Sequence, residues 1–349
     1  MNIMILGNMA DLQTGLYIVN SAEELGHEVG FVDIRKIVTE AGVVNGQKVI
    51  LEKIKELDFN PELIIVLKGL EMSYTTTKAV KDMYPKATFT NWFFDVYIAN
   101  AKIWENDKYH NTLRLFDFYM CSLEGVADNL KKHGFENAVH IGEACYPPLH
   151  GEQYINNFQV GKYGSDVAFI GSVGMTGIHK NRVEFLSKIA QAGFDLKIWG
   201  DIVGEPKSIP LDIRECRTGV SAINETHSQV CQSSLINIGI DQDTTLKNSW
   251  SARIYRIICA GGLYLSTPTR GIQKVFKTNG LHDEITSDQE IVIFYSEEDL
   301  VHKLDFLLEN DKIRESIAKN GQKKVLAEHT FKHRINEIIQ LIENGRNKR

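Results

Sequence analysis

An α/β fold of two doubly wound parallel sheets is predicted by three observations. Short apolar runs alternate with amphipathic segments from the first residues onward. The alternation breaks at Cys145-Tyr146-Pro147-Pro148 and then starts afresh. The chain's 349 residues also exceed what one ordinary core organises. Alternating strand and helix signals mark βαβ units, whose crossover helices cover both faces of a parallel sheet.

In the first half, Ile3 to Leu6 reads as a strand, followed by a loop from Gly7 to Gly15 and a helix to about Leu25. Val29–Val32, Leu63–Leu67, Ala87–Trp92, Phe116–Met120 and Ala138–Ile141 read as further strands. The polar stretch after Pro148, through Gly164, lacks strong periodicity and is expected to link the domains. The second series comprises strands at Asp166–Ile170, Leu196–Trp199 and Leu235–Ile240, one from Leu263, and one at Ile291–Tyr295, with a helix from about Lys180. Ser296-Glu297-Glu298-Asp299 is a good N-cap sequence opening the C-terminal helices. The expected domains are 1–150 and 151–330, with a helix over 331–349 crossing back onto the first. Two such domains facing a central cleft bind ligands at the carboxyl ends of their strands.

Composition narrows the class. At 43% hydrophobic and 24% charged the chain is of globular type, and a net charge of -6 argues against a protein that wraps nucleic acid. Five cysteines without C-x-x-C spacing read as reduced, mostly buried thiols and not as a zinc site. The opening M-N-I-M-I-L-G has no basic n-region, and no apolar run reaches the length of a membrane span. A soluble cytoplasmic protein is expected.

The most informative stretch is Ser249 to Gly262, S-W-S-A-R-I-Y-R-I-I-C-A-G-G. Ile254, Ile257 and Ile258 have core-facing helical spacing, which places Ser249, Arg253 and Arg256 on the opposite side. A serine N-cap beside two guanidiniums suits a phosphate or diphosphate. The same spacing fits a surface helix with two solvated arginines.

From about Asp166 onward the chain resembles the C-terminal domain of spore-maturation (CgeB-type) glycosyltransferases, a GT-B family. The resemblance is carried by F-I-G-S at 169–172, Arg182, I-W-G at 198–200, L-I-N-I at 235–238 and S-A-R-I-Y-R-I-I-C-A-G-G at 251–262. T-R-G-I at 269–272, Y-S-E-E-D-L at 295–300 and H-T-F-K-H-R at 329–334 complete it. The first half is similar more loosely, through W-F-F-D at 92–95, F-D-F-Y at 116–119 and G-F-E-N-A-V-H-I-G-E-A-C-Y-P-P-L-H ending at His150. The resemblance implies a GT-B fold of two Rossmann-like domains and transfer of a sugar, hexosyl or pentosyl, from a nucleotide-diphosphate sugar. That donor is then a co-substrate bound by the C-terminal domain, the acceptor is bound by the N-terminal one, and no cofactor or metal is required. Family members carry R-x-F-E, with the glutamate on the nucleotide ribose, where this chain reads Arg253-Ile-Tyr-Arg256. An acceptor group has become a donor-only guanidinium. Either the donor is held differently, or it carries an extra anion, or donor binding has been lost.

The candidate donor-binding residues are Ser172, Arg182, Ser249, Arg253, Arg256, Gly261, Gly262 and Arg270. Glycines 171 and 174 would let the loop approach the ligand closely. Gly261-Gly262 also reads as a helix-terminating pair. On the acceptor side, Gly7 and Gly15 bound a loop that could cradle a phosphate, and Trp92 could stack on a sugar. Asp95, after the aromatic strand end, is the candidate base, within reach of an acceptor hydroxyl directly or through one water. His27, His110 and His179 are less well placed, and Glu143 reads as a structural partner. Asp33, at the end of the second strand, keeps a nucleotide-binding dehydrogenase open. Two alternatives to the transferase are a catalytically idle GT-B protein that binds a sugar nucleotide or glycan, and a GT-B transferase acting on modified bases in DNA.

Overall fold

A computed structural model describes the chain apart from residues 11–12, 96–110, 242–243 and 347–349. His110 and the middle of the first loop, Asp11 and Leu12, lie outside the described residues. The chain divides into two compact units, Met1–Glu143 with Phe331–Arg349, and Ala144–Thr330.

The first unit is a six-stranded sheet of β1 (Asn2–Gly7), β2 (Glu28–Asp33), β3 (Leu63–Leu67), β4 (Thr88–Phe93), β5 (Phe118–Cys121) and β6 (Ala138–His140), in spatial order β2-β1-β3-β4-β5-β6. Every pairing is parallel. Ile3 through Leu6 and Leu63 through Val66 are buried, which explains why these strands read as unbroken apolar runs. Helices cover both faces of such a sheet, so neither face can be polar. Helix α1 (Thr14–Glu24) follows β1, and α2 (Ile34–Ala41) opens on Asp33, whose side chain accepts the Lys36 N–H at 2.9 Å. Asp33 is therefore a helix cap, which removes the ribose carboxylate that a dehydrogenase reading needs. The last helix, Phe331–Arg346, belongs to this unit, with Phe331 fully buried near the rings of Tyr17 and Trp92.

The second unit is a five-stranded sheet of β7 (Val167–Ile170), β9 (Leu196–Trp199), β11 (Ile236–Gly239), β12 (Tyr264–Ser266) and β13 (Val292–Ile293), in order β13-β12-β11-β7-β9. All of these strands are parallel. A two-stranded ribbon pairs β8 (Val173–Gly174), which follows β7, with β10 (Ile202–Val203), which follows β9, and no periodicity announces it. The stretch expected as a linker is ordered. Cys145 is fully buried and its N–H donates to the His329 carbonyl, Pro147–His150 is a helical turn, and Asn157–Tyr163 is a helix with a capping box between Asn156 and Gln159. The division accordingly falls at Glu143/Ala144, before the prolines. Short helices of one or two turns have too few positions to show a period, which is why the pattern is silent there.

Within each unit the strand order is the same. The chain lays its second strand on one side of the first and its third on the other, so loops leaving the first and third strands diverge. This switch point lies between β1 and β3 in the first unit and between β7 and β11 in the second. A crevice opens there at the carboxyl edge.

The short edge strand β13 is held by a side chain. Asn279, 1% exposed, donates through Nδ2 to the Ile293 carbonyl at 2.8 Å and accepts the Ile293 N–H at 2.7 Å. Replacing Asn279 by Ala leaves a buried backbone amide unpaired. Urea denaturation is expected to show a loss of about 1–3 kcal/mol.

Candidate functional site

The switch point of the second sheet carries a concentrated positive charge. Phe169, at the end of β7, is fully buried, and two guanidiniums approach its ring: Arg253 at 5.2 Å and Arg182 at 5.8 Å from centroid to carbon. A ring face attracts cations, so the aromatic partly offsets their desolvation. Gly171 makes the approach possible, because a Cβ there would stand 2.8 Å from Arg253 Nη2. Gly200 fits beneath, with room for no side chain: its Cβ would meet the Gly171 carbonyl at 2.3 Å.

Arg182 is 6% exposed and donates through Nη1 to the Ser172 carbonyl at 2.8 Å and to His179 Nδ1 at 3.1 Å. A guanidinium only donates, so Nδ1 of His179 must accept and its ring proton sits on Nε2. Burial, then the Arg182 charge, keeps that imidazole below its usual pKa, and hence neutral. Burial and the neighbouring Arg253 lower Arg182 to about 10. Arg182 Nε and Arg253 Nη1 are buried without a hydrogen-bond partner among the described residues. Guanidinium N–H groups left unpaired within the protein at a sheet's carboxyl edge suit an anion.

One carboxylate offsets this charge. Asp241 follows β11, is 7% exposed, and accepts the Ser251 N–H at 3.4 Å and the Thr269 hydroxyl at 3.5 Å. Burial raises its pKa, against the opposing pull of Arg253 first and then of Ser251, Arg182 and Thr269. Tyr264 on β12 faces the same group, its phenol pushed up by burial and by the Asp241 charge. Neither Asp241 nor His179 belongs to the candidate set read from the sequence. A lone aspartate after a strand and a lone histidine before a helix carry no spacing signal.

The remaining donor-side candidates separate. The helix carrying the arginines spans only Arg253–Cys259, with Ala252 as its N-cap residue. Ser249 therefore does not cap it, and the site is made by side chains and not by the helix terminus. Ser249 is 4% exposed, its hydroxyl buried without a hydrogen-bond partner among the described residues. Arg256, one turn after Arg253, is half-buried beside a different group. Burial and the Arg256 charge lower His150 to about 2, and burial with Arg256 and Arg253 lowers His227 to about 3.

Gly261-Gly262 closes that helix and lies at the amino end of β12, on the edge away from Arg182 and Arg253. Gly261 takes a φ of +83° and a Cβ on Gly262 would meet Asn237 Nδ2 at 2.7 Å. The pair serves a turn and a close approach, not a ligand. Arg270 is exposed in the loop after β12, its N–H donating to the Thr244 carbonyl.

In the first unit, Asn8, Gln13, Thr14, Gly15, Arg35, Lys68, Glu71, Phe94, Asp95 and Glu143 line a pocket of about 220 Å³ at the switch point. Asp95 pairs with Lys68 at 2.7 Å, both side chains partly exposed. Lys68 adopts a φ of +57°, and its carbonyl accepts the Asn91 side-chain amide at 3.0 Å. A left-handed lysine is rare, and here it turns the ammonium onto Asp95. Gly15 lies against the Asn8 carbonyl, where a Cβ would be 2.3 Å away, and Gly7 against Leu67 at 2.8 Å. Trp92 is corrected by the structure: it is fully buried, donating to the Ile141 carbonyl, and cannot stack on a sugar. Phe94, packed on Trp92, is the ring at the pocket. Among the described residues no cluster of His, Cys, Asp or Glu could hold a metal ion, and no helix is long and apolar enough to cross a membrane.

Comparisons with known proteins agree with this geometry. Residues 182–340 match the family model described as "Glycosyl transferase-like". No curated protein matches the chain in sequence. Among solved structures, the N-terminal domain of Candida albicans trehalose-6-phosphate phosphatase is similar at 8% identity and a TM-score of 0.65, over 98% of this chain and 96% of that one. The catalytic domain of Arabidopsis thaliana starch synthase IV, bound to ADP and acarbose, is similar at 9% identity and a TM-score of 0.62, over 93% and 98%. S. aureus MnaA with UDP follows at 10% identity and a TM-score of 0.54, over 99% and 97%. Such low identities speak to fold alone, and the fold is the α/β arrangement of the GT-B glycosyltransferases.

The assignment of Gly262 to the scaffold has a measurable consequence. Gly262→Ala is expected to cost about 1–3 kcal/mol by overpacking against Asn237, seen as a lower melting temperature. The affinity of the folded variant for a nucleotide sugar is expected to stay within twofold of the parent.

Proposed function

We propose that the chain is a glycosyltransferase of the spore-maturation (CgeB-type) kind, moving a hexosyl or pentosyl group from a nucleotide-diphosphate sugar to an acceptor. The observation that carries this reading is the Arg182–Arg253 pair around Phe169, with buried N–H groups lacking partners. Breaking the bond between sugar and diphosphate leaves negative charge on the departing phosphate. Fixed guanidiniums at the sheet edge stabilise that charge without a metal. The ADP and UDP in the starch synthase and MnaA structures support a nucleoside diphosphate as the ligand of this fold.

In this reading the second unit binds the donor through Ser172, Arg182, Ser249 and Arg253, with Arg256 and Arg270 as further contacts. The first unit binds the acceptor in the pocket of Gly15, Lys68 and Asp95. Asp95 takes the proton of the attacking hydroxyl, and Lys68 holds the carboxylate in place. No cofactor is needed, and the cytoplasm, where nucleotide sugars are made, is the proposed compartment. A second reading, a sugar-nucleotide-binding protein without turnover, is favoured by Arg256 where the resembling family carries its ribose-binding glutamate.

A thermal-shift screen against UDP-, GDP-, CMP- and dTDP-linked sugars tests the site. One nucleotide class is expected to raise the midpoint with or without Mg²⁺, by mass action on the folded state. Arg253→Ala is expected to weaken that ligand at least tenfold, since a charged hydrogen bond contributes about 1.5–3 kcal/mol. Unchanged affinity would refute the clamp. Binding without transfer or hydrolysis across an acceptor panel would establish the second reading instead.

A further inference from the structure

We propose that His179 is a positioning residue of the donor site: with the Ser172 carbonyl it holds one end of the Arg182 guanidinium, so that the Nε–Nη2 edge is presented to two oxygens of a single phosphate. The proposal rests on the donor-site reading above and adds how the ligand is gripped there.

The protons of the guanidinium carry it. The group has five N–H donors, one on Nε and two on each Nη. Arg182 donates to the described residues from Nη1, to the Ser172 carbonyl at 2.8 Å and to His179 Nδ1 at 3.1 Å. Two acceptors occupy both protons of Nη1. Nε is buried without a partner among the described residues. The edge left for a ligand is therefore Nε with Nη2, whose two parallel N–H groups match two oxygens on one phosphorus. An end-on grip through Nη1 and Nη2 is closed, because Nη1 is already occupied.

The fold sets His179 in place for Arg182 and not for the helix it precedes. Arg182 is the third residue of the helix Lys180–Gln191, and His179 is the N-cap residue of that helix. The imidazole makes no capping hydrogen bond and meets Arg182 instead. A short 3-10 turn over Gly177–His179 delivers the ring, and Gly174 on β8 leaves it room. A Cβ at position 174 would stand 3.2 Å from His179 Cβ and 2.7 Å from the Val203 carbonyl. The Phe169 ring, 5.8 Å from the guanidinium carbon, is a third support. A planar group held by a carbonyl, an imidazole and a ring keeps one orientation. Without the imidazole, Nη1 regains a proton to place and the guanidinium can turn about its last bond. Binding must then order the fork, and affinity falls.

Isothermal calorimetry on the whole chain tests the assignment, with UDP-, GDP-, ADP- and dTDP-glucose as probes and the tightest of them carried through the variants. His179→Ala is expected to weaken it about tenfold, the effect of one hydrogen bond to a charged group. His179→Asn, whose amide oxygen accepts the same Nη1 proton, is expected to bind within about twofold of the parent. In an Arg182→Met background, His179→Ala is expected to change affinity by less than about twofold, because the histidine acts only through the arginine. Melting temperatures establish that each variant is folded; should Arg182→Met not fold, the two His179 variants still decide. A folded His179→Ala that binds as tightly as the parent overturns the proposal and leaves the donor site standing. A His179→Asn variant as weak as His179→Ala does the same. So does an equal loss from His179→Ala in both backgrounds, which would make His179 a direct ligand contact. A parent that binds none of the probes overturns both.

Discussion

Two guanidiniums set over one aromatic ring, one buried and one half-buried, do not gather in a protein unless the backbone forces them together. Each ion loses its hydration, and the two repel each other; the lowered pKa of Arg182 records both effects. Here the backbone does this with glycine. Gly171 admits Arg253 to the Phe169 ring, and Gly200 lets the β9 edge pass beneath the Gly171 carbonyl. The Ser172 carbonyl and neutral His179 then take up two of Arg182's N–H groups and leave another unsatisfied. A protein selected only for stability would fill this space with apolar side chains, because replacing buried ions by hydrocarbon is commonly neutral or stabilising. The arrangement is therefore better explained by the proposed anionic ligand than by a gain in stability.

The shared strand order of the two sheets explains where such groups can gather. Side chains at the carboxyl edge of a switch point are not needed to cover the sheet, so they are free to differ. The two units use that freedom in opposite ways. The second gathers cations around a single carboxylate, which suits an anionic ligand. The first sets Lys68 and Arg35 among Glu71, Asp95 and Glu143, a balanced lining that suits a neutral, hydroxyl-bearing molecule. In the proposed reading, donor and acceptor chemistry divide along the same line as the sheets.

Much of this was legible in the sequence. The apolar runs of β1, β3, β7 and β11 mark buried parallel strands, and the isoleucines at 254, 257 and 258 face the core with 0–1% exposure. Arg253 stands out by its helical spacing with Ser249, and Arg182 by its place in the family resemblance. Other features were not legible, for identifiable reasons. Trp92 and Asp95 are three residues apart at a strand's end, but one lies within β4 and the other beyond it, so the tryptophan enters the core while the aspartate reaches the pocket. The Gly261-Gly262 pair reads alike as a ligand loop or a helix stop; only the direction of β12 shows that it occupies the amino edge. His179 meets Arg182 three residues on, a spacing that equally fits two solvated side chains, and Asp241 meets residues 251 and 269, which no local pattern ties to it.

The two arginines of the short helix also show how position divides chemistry on a single turn. Arg253 meets the Phe169 ring and has one N–H group without a hydrogen-bond partner among the described residues. Arg256 stands near His150 and His227, both held neutral by burial and by its own charge. His150 accepts the Tyr146 N–H at 2.9 Å, and His227 Nδ1 lies 3.5 Å from the Cys231 thiol. These rings are fixed by the scaffold, and His227 lies within the influence of both guanidiniums of the short helix. One turn of helix thus separates an arginine set on an aromatic ring from one set beside two neutral imidazoles.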